Sequence, residues 1–426
     1  MKKVSTLIVG LFVTQLSALE FDEWTVSGDL RSAYLYYDFN NPPGLNNNPD
    51  THFGSTDSKG FYLVPKVSIT TPSVDGFSAK ITGAAVTDFG INDHDNESGT
   101  LVYGRDNKSF AILQEAYLQY KDESNKVIIG RFESDTPMVS KDDYYMLANT
   151  FEQLSWTNTS FDDIALNLGY FYKMAGVWDS GDDGTEFHSM SDASYVSLQD
   201  KINADDSGIV YLGFDYSGEN HSLSAWDYYA SDLYNMLYTQ YDYANTLGSF
   251  SYDATLQYIN FHEVGDLQDN SYTAINYSIY SAQLNGAFEN GFDLTTAVSI
   301  FTEGTGQAST LGAWGGYPYL SSGKIVTWFN AGSFQNARNY KIGAGYDFAK
   351  LGINGLYFNV QYLYVDLDSE YSLTSTGEGQ DYQKSYGTSL SYENDNGLYS
   401  SFTYEYTDLD NEPRMNAFYV FAGYKF

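Results

Sequence analysis

The chain has 426 residues and a formal net charge of −34, with 21 Lys and Arg against 55 Asp and Glu. That balance excludes nucleic-acid binding, which needs a basic footprint, and the absence of cysteine excludes disulfide scaffolds, thiolate zinc sites and cysteine nucleophiles. With 41 Tyr, 27 Phe and only 8 Pro, the composition excludes an acidic disordered chain and points to strands.

At the N-terminus, Met1-Lys2-Lys3 is a short basic region and Val4–Val13 an apolar run too short to span a bilayer as a helix. Ala18 offers a small residue for cleavage. The expectation is a signal peptide over 1–18 and one domain over 19–426. No later segment approaches ~20 consecutive apolar residues, so no transmembrane helix is expected.

From Leu30 onward the chain alternates with period two. In Ile164–Met174, Ile164, Leu166, Leu168, Tyr170 and Tyr172 share one face and Asn167 and Gly169 the other. Val210, Leu212, Phe214 and Tyr216 repeat the pattern, as do Leu356–Tyr364, Leu398–Thr407 and finally Phe418, Val420, Ala422, Tyr424 and Phe426. About eighteen such segments are counted, with sixteen to eighteen as the range. Those near Ser155 and Ser224 alternate least regularly.

The connectors choose the architecture. Short ones, such as Thr71–Gly76, Asp122–Ser124, Gly218–Asn220 and Asn394–Gly397, separate long polar ones: Asn40–Ser58, Asp88–Lys108, Glu133–Glu152, Ala175–Ser207, Glu303–Arg338 and Asp366–Gln383. A soluble sandwich has no reason to alternate long and short loops. An antiparallel transmembrane β-barrel does, with short periplasmic turns and long outer loops. Only a closed barrel satisfies strand backbones in hydrocarbon, and only every second residue then needs to be apolar. That reconciles a mean hydropathy of −0.37 with a membrane setting. The Tyr and Phe excess supplies two aromatic girdles. The expected fold is therefore an all-β barrel in a bacterial outer membrane, with both termini periplasmic.

The stretch from Ile129 resembles a known family. Gly130, Thr136-Pro137, Asp142/Asp143, Met146-Leu147 and Thr150-Phe151 match a segment of the OprD-like porins, and the terminal aromatic strand and length agree. Where that family carries Arg before and Pro after its Leu-Leu turn, this chain has Tyr144-Tyr145 and Ala148-Asn149. Gly312-Ala313-Trp314-Gly315-Gly316-Tyr317-Pro318 resembles a loop in porins of the ε-proteobacterial type. The resemblance implies a barrel of about eighteen strands that passes small nutrients. It also implies a third outer loop folded into the lumen as a constriction beside a row of basic residues. Strand counting independently makes about 133–152 the third outer loop.

A pore selects by width and by charge at its narrowest point. The loop supplies Glu133, Asp135, Lys141, Asp142 and Asp143. Arg31, Lys66, Lys80, Lys173 and Lys341 stand on polar strand faces, and Arg131 ends the strand that enters the loop. All six are expected in the lumen, because a charge on the lipid face costs about 2–4 kcal/mol at mid-depth. The acidic total biases the mouth toward cations, so a cation preference that declines with salt is expected.

No cofactor is expected. The acidic connectors Asn92–Glu97, Asp179–Glu186, Asp366/Asp368/Glu370 and Asp408/Asp410/Glu412 carry Ca²⁺-type oxygen ligands. However, Asp179-Ser180-Gly181-Asp182-Asp183-Gly184 departs from the EF-hand pattern and reads as a solvated loop. His262-Glu263 lacks the second His of a zinc protease, and no Gly-x-Ser-x-Gly or P-loop occurs. The leading function is passive diffusion of ions and small hydrophilic solutes. A surface adhesin or structural barrel is the alternative, and an outer-membrane barrel hydrolase comes third. The implied partners are small polar solutes, outer-membrane lipid and lipopolysaccharide. A homotrimer, common among porins, is the candidate assembly.

Overall fold

A computed structural model describes residues 24–38, 58–92, 109–144, 147–176, 186–191, 208–269, 275–304, 311–327, 334–374 and 377–426. The expected signal peptide and most of the acidic connectors Asn92–Glu97 and Asp179–Glu186 lie outside these residues.

The strands in chain order are β1 (Thr25–Asp38), β2 (Ser58–Thr70), β3 (Phe77–Val86), β4 (Phe110–Lys121), β5 (Asn125–Phe132) and β6 (Thr150–Phe161). Then come β7 (Ile164–Ala175), β8 (His188–Ser189), β9 (Ile209–Ser217), β10 (His221–Ala230), β11 (Tyr234–Leu247) and β12 (Phe250–Glu263). The last are β13 (Asn276–Phe288), β14 (Phe292–Phe301), β15 (Arg338–Asp347), β16 (Leu356–Asp366), β17 (Tyr382–Glu393), β18 (Leu398–Leu409) and β19 (Met415–Lys425). The two-residue β8 caps β7 above β9, through Lys173 opposite Ser189 and Met174 opposite His188. The other eighteen strands form an antiparallel wall in sequence order, and β1 pairs with both β2 and β19, so the sheet is closed. Gly28 and Phe426 exchange backbone hydrogen bonds of 2.9 and 3.0 Å across the seam, which ties the terminal residue into the cylinder. The irregular segments near Ser155 and Ser224 are full strands, β6 and β10.

Alternation puts the apolar residues on the outside. Ile81, Leu118, Leu212, Leu256 and Ile342 are each more than half exposed, while the large buried side chains Tyr62, Tyr228, Tyr234, Tyr277, Phe151 and Phe261 point inward. Hydrocarbon, not water, suits the outer surface. Tyrosines collect near one end of the outer face, with Tyr340 beside Tyr364, Tyr362 beside Tyr386 and Tyr386 beside Tyr406. Phe77–Tyr120, Phe250–Phe288 and Tyr424–Phe426 gather near the other. These are two girdles, one per interface.

The connectors at one end, the end of Thr71–Gly76 and Asn394–Gly397, are all short. In one of them Asp122 accepts from the Ser124 and Asn125 amides at 2.9 and 2.7 Å, which fixes the turn and holds its carboxyl below the usual range. At the other end connectors are mostly long, but 231–233 and 410–414 are short as well, so the long-short alternation is not strict.

Candidate pore constriction

Residues 133–149 leave β5 and return to β6, yet they touch distant parts of the wall. Glu133 pairs with Lys66 of β2 at 2.9 Å, and Asp143 with Arg31 of β1 at 3.0 Å. The Tyr144 carbonyl accepts from the Tyr419 hydroxyl of β19 at 2.6 Å, and the Ala148 carbonyl from Gln114 of β4 at 3.2 Å. The Met138 amide donates to the Tyr228 hydroxyl of β10 at 3.5 Å. A segment rooted between β5 and β6 reaches β19, β1 and β10 together only across the inside of the cylinder.

A second connector lies against it. Val139 bridges to Trp314 and Gly315, and the Ser140 amide donates to the Trp314 carbonyl at 2.9 Å. The approach is backbone to backbone. A Cβ on Gly316 would stand 2.5 Å from the Met138 backbone, and Gly315 has φ +82° with the Ser140 carbonyl against it. Only glycine fits such a crossing. The Trp314 indole is buried, stacks near Tyr234 and donates to the Met190 carbonyl at 2.7 Å. From there 318–327 follows the far wall. The Pro318 carbonyl accepts from Gln257 at 2.7 Å, that of Ser322 from Gln361 at 3.3 Å, and that of Leu320 from Lys341. Glu405 of β18, which is buried, accepts the amides of Lys324, Ile325 and Thr327 at 3.2, 3.0 and 3.1 Å and the Thr327 hydroxyl. The two connectors together divide the lumen.

The charges fall into three groups. On β1–β3 each inward cation has a carboxylate. Arg31 contacts Asp29 at 2.8 Å as well as Asp143, Lys66 contacts Glu133, and Lys80 contacts Glu115 at 2.6 Å. Within 133–149, Lys141 meets Asp135 at 3.2 Å. Partial burial opposes its charge, but the Asp135 hydrogen bond and the fields of Asp135, Glu133 and Asp143 hold its pKa above the usual value. Asp142, at φ +33°, turns the chain and accepts the Tyr144 amide at 3.4 Å.

Against the β15–β17 arc lie Lys341, on β15, and Lys324, in the second connector, whose Nζ atoms bond the Leu320 carbonyl and the Ser389 hydroxyl (3.2 Å for the latter). Burial pushes the Lys324 pKa down, and Glu405 offsets this only partly. On β9–β14 the inward faces carry Asp215, Asp242, Asp253 and Asp293, all near the short-turn end. Their partners are neutral: Ser224 at 2.7 Å, Thr255 at 2.6 Å, Asn285 at 2.7 Å and Tyr357 at 3.0 Å. No Lys or Arg occurs between Lys201 and Lys324.

Arg131 and Lys173 fall on the other side of the wall from these groups. Arg131 stands opposite Ala116 and Glu152, on the face of Ile129 and Leu118, which are 55% and 62% exposed. Lys173 stands opposite Glu152, because Tyr172 is an extra residue between the Glu152–Lys173 and Gln153–Phe171 pairs. That bulge puts Tyr172 and Lys173 on one face, outward. Strict alternation places Lys173 in the lumen; the bulge reverses it.

The family model of outer-membrane porins of the OprD family matches residues 21–403. The chain belongs to the OprD family. This OprD-family porin is a channel rather than an enzyme, set in the outer membrane and passing small solutes. Its fold is similar to Pseudomonas aeruginosa OccK9 (OpdG) and Acinetobacter baumannii OccAB3, each with TM-score 0.76. Identities are 13% and 14%, over 95% of this chain in both cases and over 98% and 100% of theirs. A BenF-like porin from Pseudomonas fluorescens Pf-5 matches at TM-score 0.72 and 14% identity, over 95% of this chain and 100% of its own. No curated protein sequence matches significantly.

The lumen also holds residues that sequence reading passed over: Lys324, Glu405 and the row Asp215, Asp242, Asp253 and Asp293. The Gly312–Pro318 motif was the one signal for the second inward connector. The gap in Lys and Arg after Lys201 was the signal for the acidic row.

Proposed function

We propose that this porin conducts ions and small hydrophilic solutes with a cation preference, through a pore narrowed where 133–149 meets 311–327. The observation that carries the reading is the pairing of lumen charges. Arg31, Lys66 and Lys80 each already hold a carboxylate, whereas Asp215, Asp242, Asp253 and Asp293 hold only neutral donors. A close ion pair presents little net field to a passing ion, while a carboxylate bonded to neutral donors keeps its full charge. Of the constriction charges Glu133, Asp135, Lys141, Asp142 and Asp143, Glu133 pairs with Lys66, Asp143 with Arg31 and Asp135 with Lys141, so in this reading they add little net field.

One observation favours the opposite selectivity. Among the described residues the Nζ atoms of Lys324 and Lys341 bond only neutral partners, and the two stand near each other, which makes an anion-attracting spot in the narrow zone. Reversal potentials in planar bilayers under a salt gradient decide between them. A cation potential that shrinks in Asp215→Asn/Asp242→Asn/Asp253→Asn supports the acidic row. An anion potential at low salt overturns it and gives the lysines the dominant field.

We further infer that both termini are periplasmic and that the signal peptide ends at Ala18. The short turns at the end shared with the termini support the orientation, and the apolar run Val4–Val13 supports the cleavage. The Gly312–Pro318 motif supports placing the chain among the ε-proteobacterial type of the family.

A further inference from the structure

Arg131 and Lys173 are outward cations on a strongly acidic protein. The Arg131 guanidinium contacts Glu152 at 2.8 Å and lies 4.1 Å from the centre of the Phe187 ring. Lys173 lies 5.4 Å from the Tyr172 ring and, among the described residues, has no carboxylate within ion-pair distance. The patch carries one net positive charge in a chain of −34. It sits level with Tyr170 and Tyr172, whose rings are 6.4 Å apart at the long-loop end of β7. That is girdle depth, where the hydrocarbon ends and headgroups begin. Directly below on the same face run Ile129, Leu154 and Leu168, all exposed. Cations above an apolar column match one amphiphile, an anionic headgroup over acyl chains.

We propose that Arg131 and Lys173 hold a phosphate of lipid A, with its acyl chains along Ile129, Leu154 and Leu168. The choice of lipid rests on the orientation inferred above, since lipopolysaccharide fills the outer leaflet. A phosphate takes both cations at once, with forked hydrogen bonds from the guanidinium and a point charge from the ammonium. Glu152 is the restraint. It shares Arg131 and repels phosphate, so it sets the affinity.

The test uses the full chain in detergent, with retained lipid read by native mass spectrometry. The probes are bis-phosphorylated lipid A, dephosphorylated lipid A and phosphatidylglycerol. The wild type should retain bis-phosphorylated lipid A in preference to both others. Lys173→Gln should weaken retention about tenfold, the scale of one charge-assisted hydrogen bond. Arg131→Gln/Lys173→Gln should abolish the preference, and Glu152→Gln should strengthen binding. Lys350→Gln, an exposed cation at the other end, should change nothing. Equal retention by wild type and Lys173→Gln, indifference to the phosphates, or preference for phosphatidylglycerol each overturns the proposal. Among the described residues Lys173 gives up no ion pair, so that variant and Glu152→Gln decide the matter even if the double variant misfolds. A micelle has no sides, so this result stands apart from the orientation, which surface labelling reads separately.

Discussion

Glu405 is the position where one substitution should open the pore without harming the wall. Its carboxylate accepts three backbone amides, from Lys324, Ile325 and Thr327, and is buried. Glu405→Ala removes the only acceptor that those amides have on the wall among the described residues. A buried donor left unsatisfied costs roughly 1–3 kcal/mol, so three cost roughly 3–9 kcal/mol in that arrangement. The chain escapes the cost by leaving it, and 323–327 should come away from β18 into the lumen water. The wall has no reason to follow, because β18 keeps its full registers with β17 and β19. Residues 314–322 should stay, held through Met190, Gln257, Lys341 and Gln361. Single-channel conductance should therefore rise while the protein stays heat-modifiable on gels. Glu405→Gln, which keeps one acceptor oxygen and the shape, should fall between. Lys324 also loses its nearest carboxylate, so cation preference should drop in Glu405→Ala. Unchanged conductance in a folded Glu405→Ala barrel would refute the clamp.

Selectivity should depend on pH through Lys324. Burial holds its pKa below the ordinary 10.5, so raising pH toward that value discharges it before an ordinary lysine; cation preference should climb, and Lys324→Met should flatten the climb. Gly316→Ala should force the crossing connectors apart at Met138 and raise conductance, whereas Gly352→Ala, where a Cβ meets open space though φ is +85°, should leave conductance unchanged and cost only stability. Deleting Thr136–Ala148 should widen the pore further than either, and a folded barrel of wild-type conductance would show that the segment is not the constriction. Orientation can be read in a chain that has no cysteine. Asn411→Cys should react with an impermeant maleimide on intact cells and Asp395→Cys only after permeabilisation; the reverse pattern inverts the topology.

The barrel was legible because its cause is local. Each strand must offer apolar side chains to lipid at every second position, so Leu398–Thr407 or Val210–Tyr216 declares itself without neighbours. The seam was legible as well, through the aromatic run ending at Phe426. Side-chain orientation was less so. Reading Lys173 inward assumed unbroken alternation, and the bulge at Tyr172 appears only against the register of β6. Arg131 could have been placed by counting from Ile129. The second inward connector left one trace, the glycines at 315 and 316, which make sense only once Met138 and Ser140 are seen against them.

What decides selectivity was the least legible part, and for a physical reason. A list of lumen cations treats Arg31, Lys66, Lys80 and Lys341 as equals. Three of them contact carboxylates from residues 2 to 112 positions away, and the fourth contacts a carbonyl. At about 3 Å an ion pair is nearly neutral to an ion passing a few ångströms further off, and ~8 Å of screening at physiological salt removes most of the remainder. The field of the pore is therefore set by the charges left over after pairing. Among the described lumen residues those are the carboxylates on β9–β14, Lys324 of the second connector and Lys341 of β15. They stand on different arcs of one cylinder, with the carboxylates nearer the short-turn end, so on this reading the leftover field runs obliquely across the pore. A small cation is drawn to one wall and the anionic end of a polar solute to the other. A zwitterion would satisfy both at once, and net charge, which counts every pair in full, is a poor guide to any of the three.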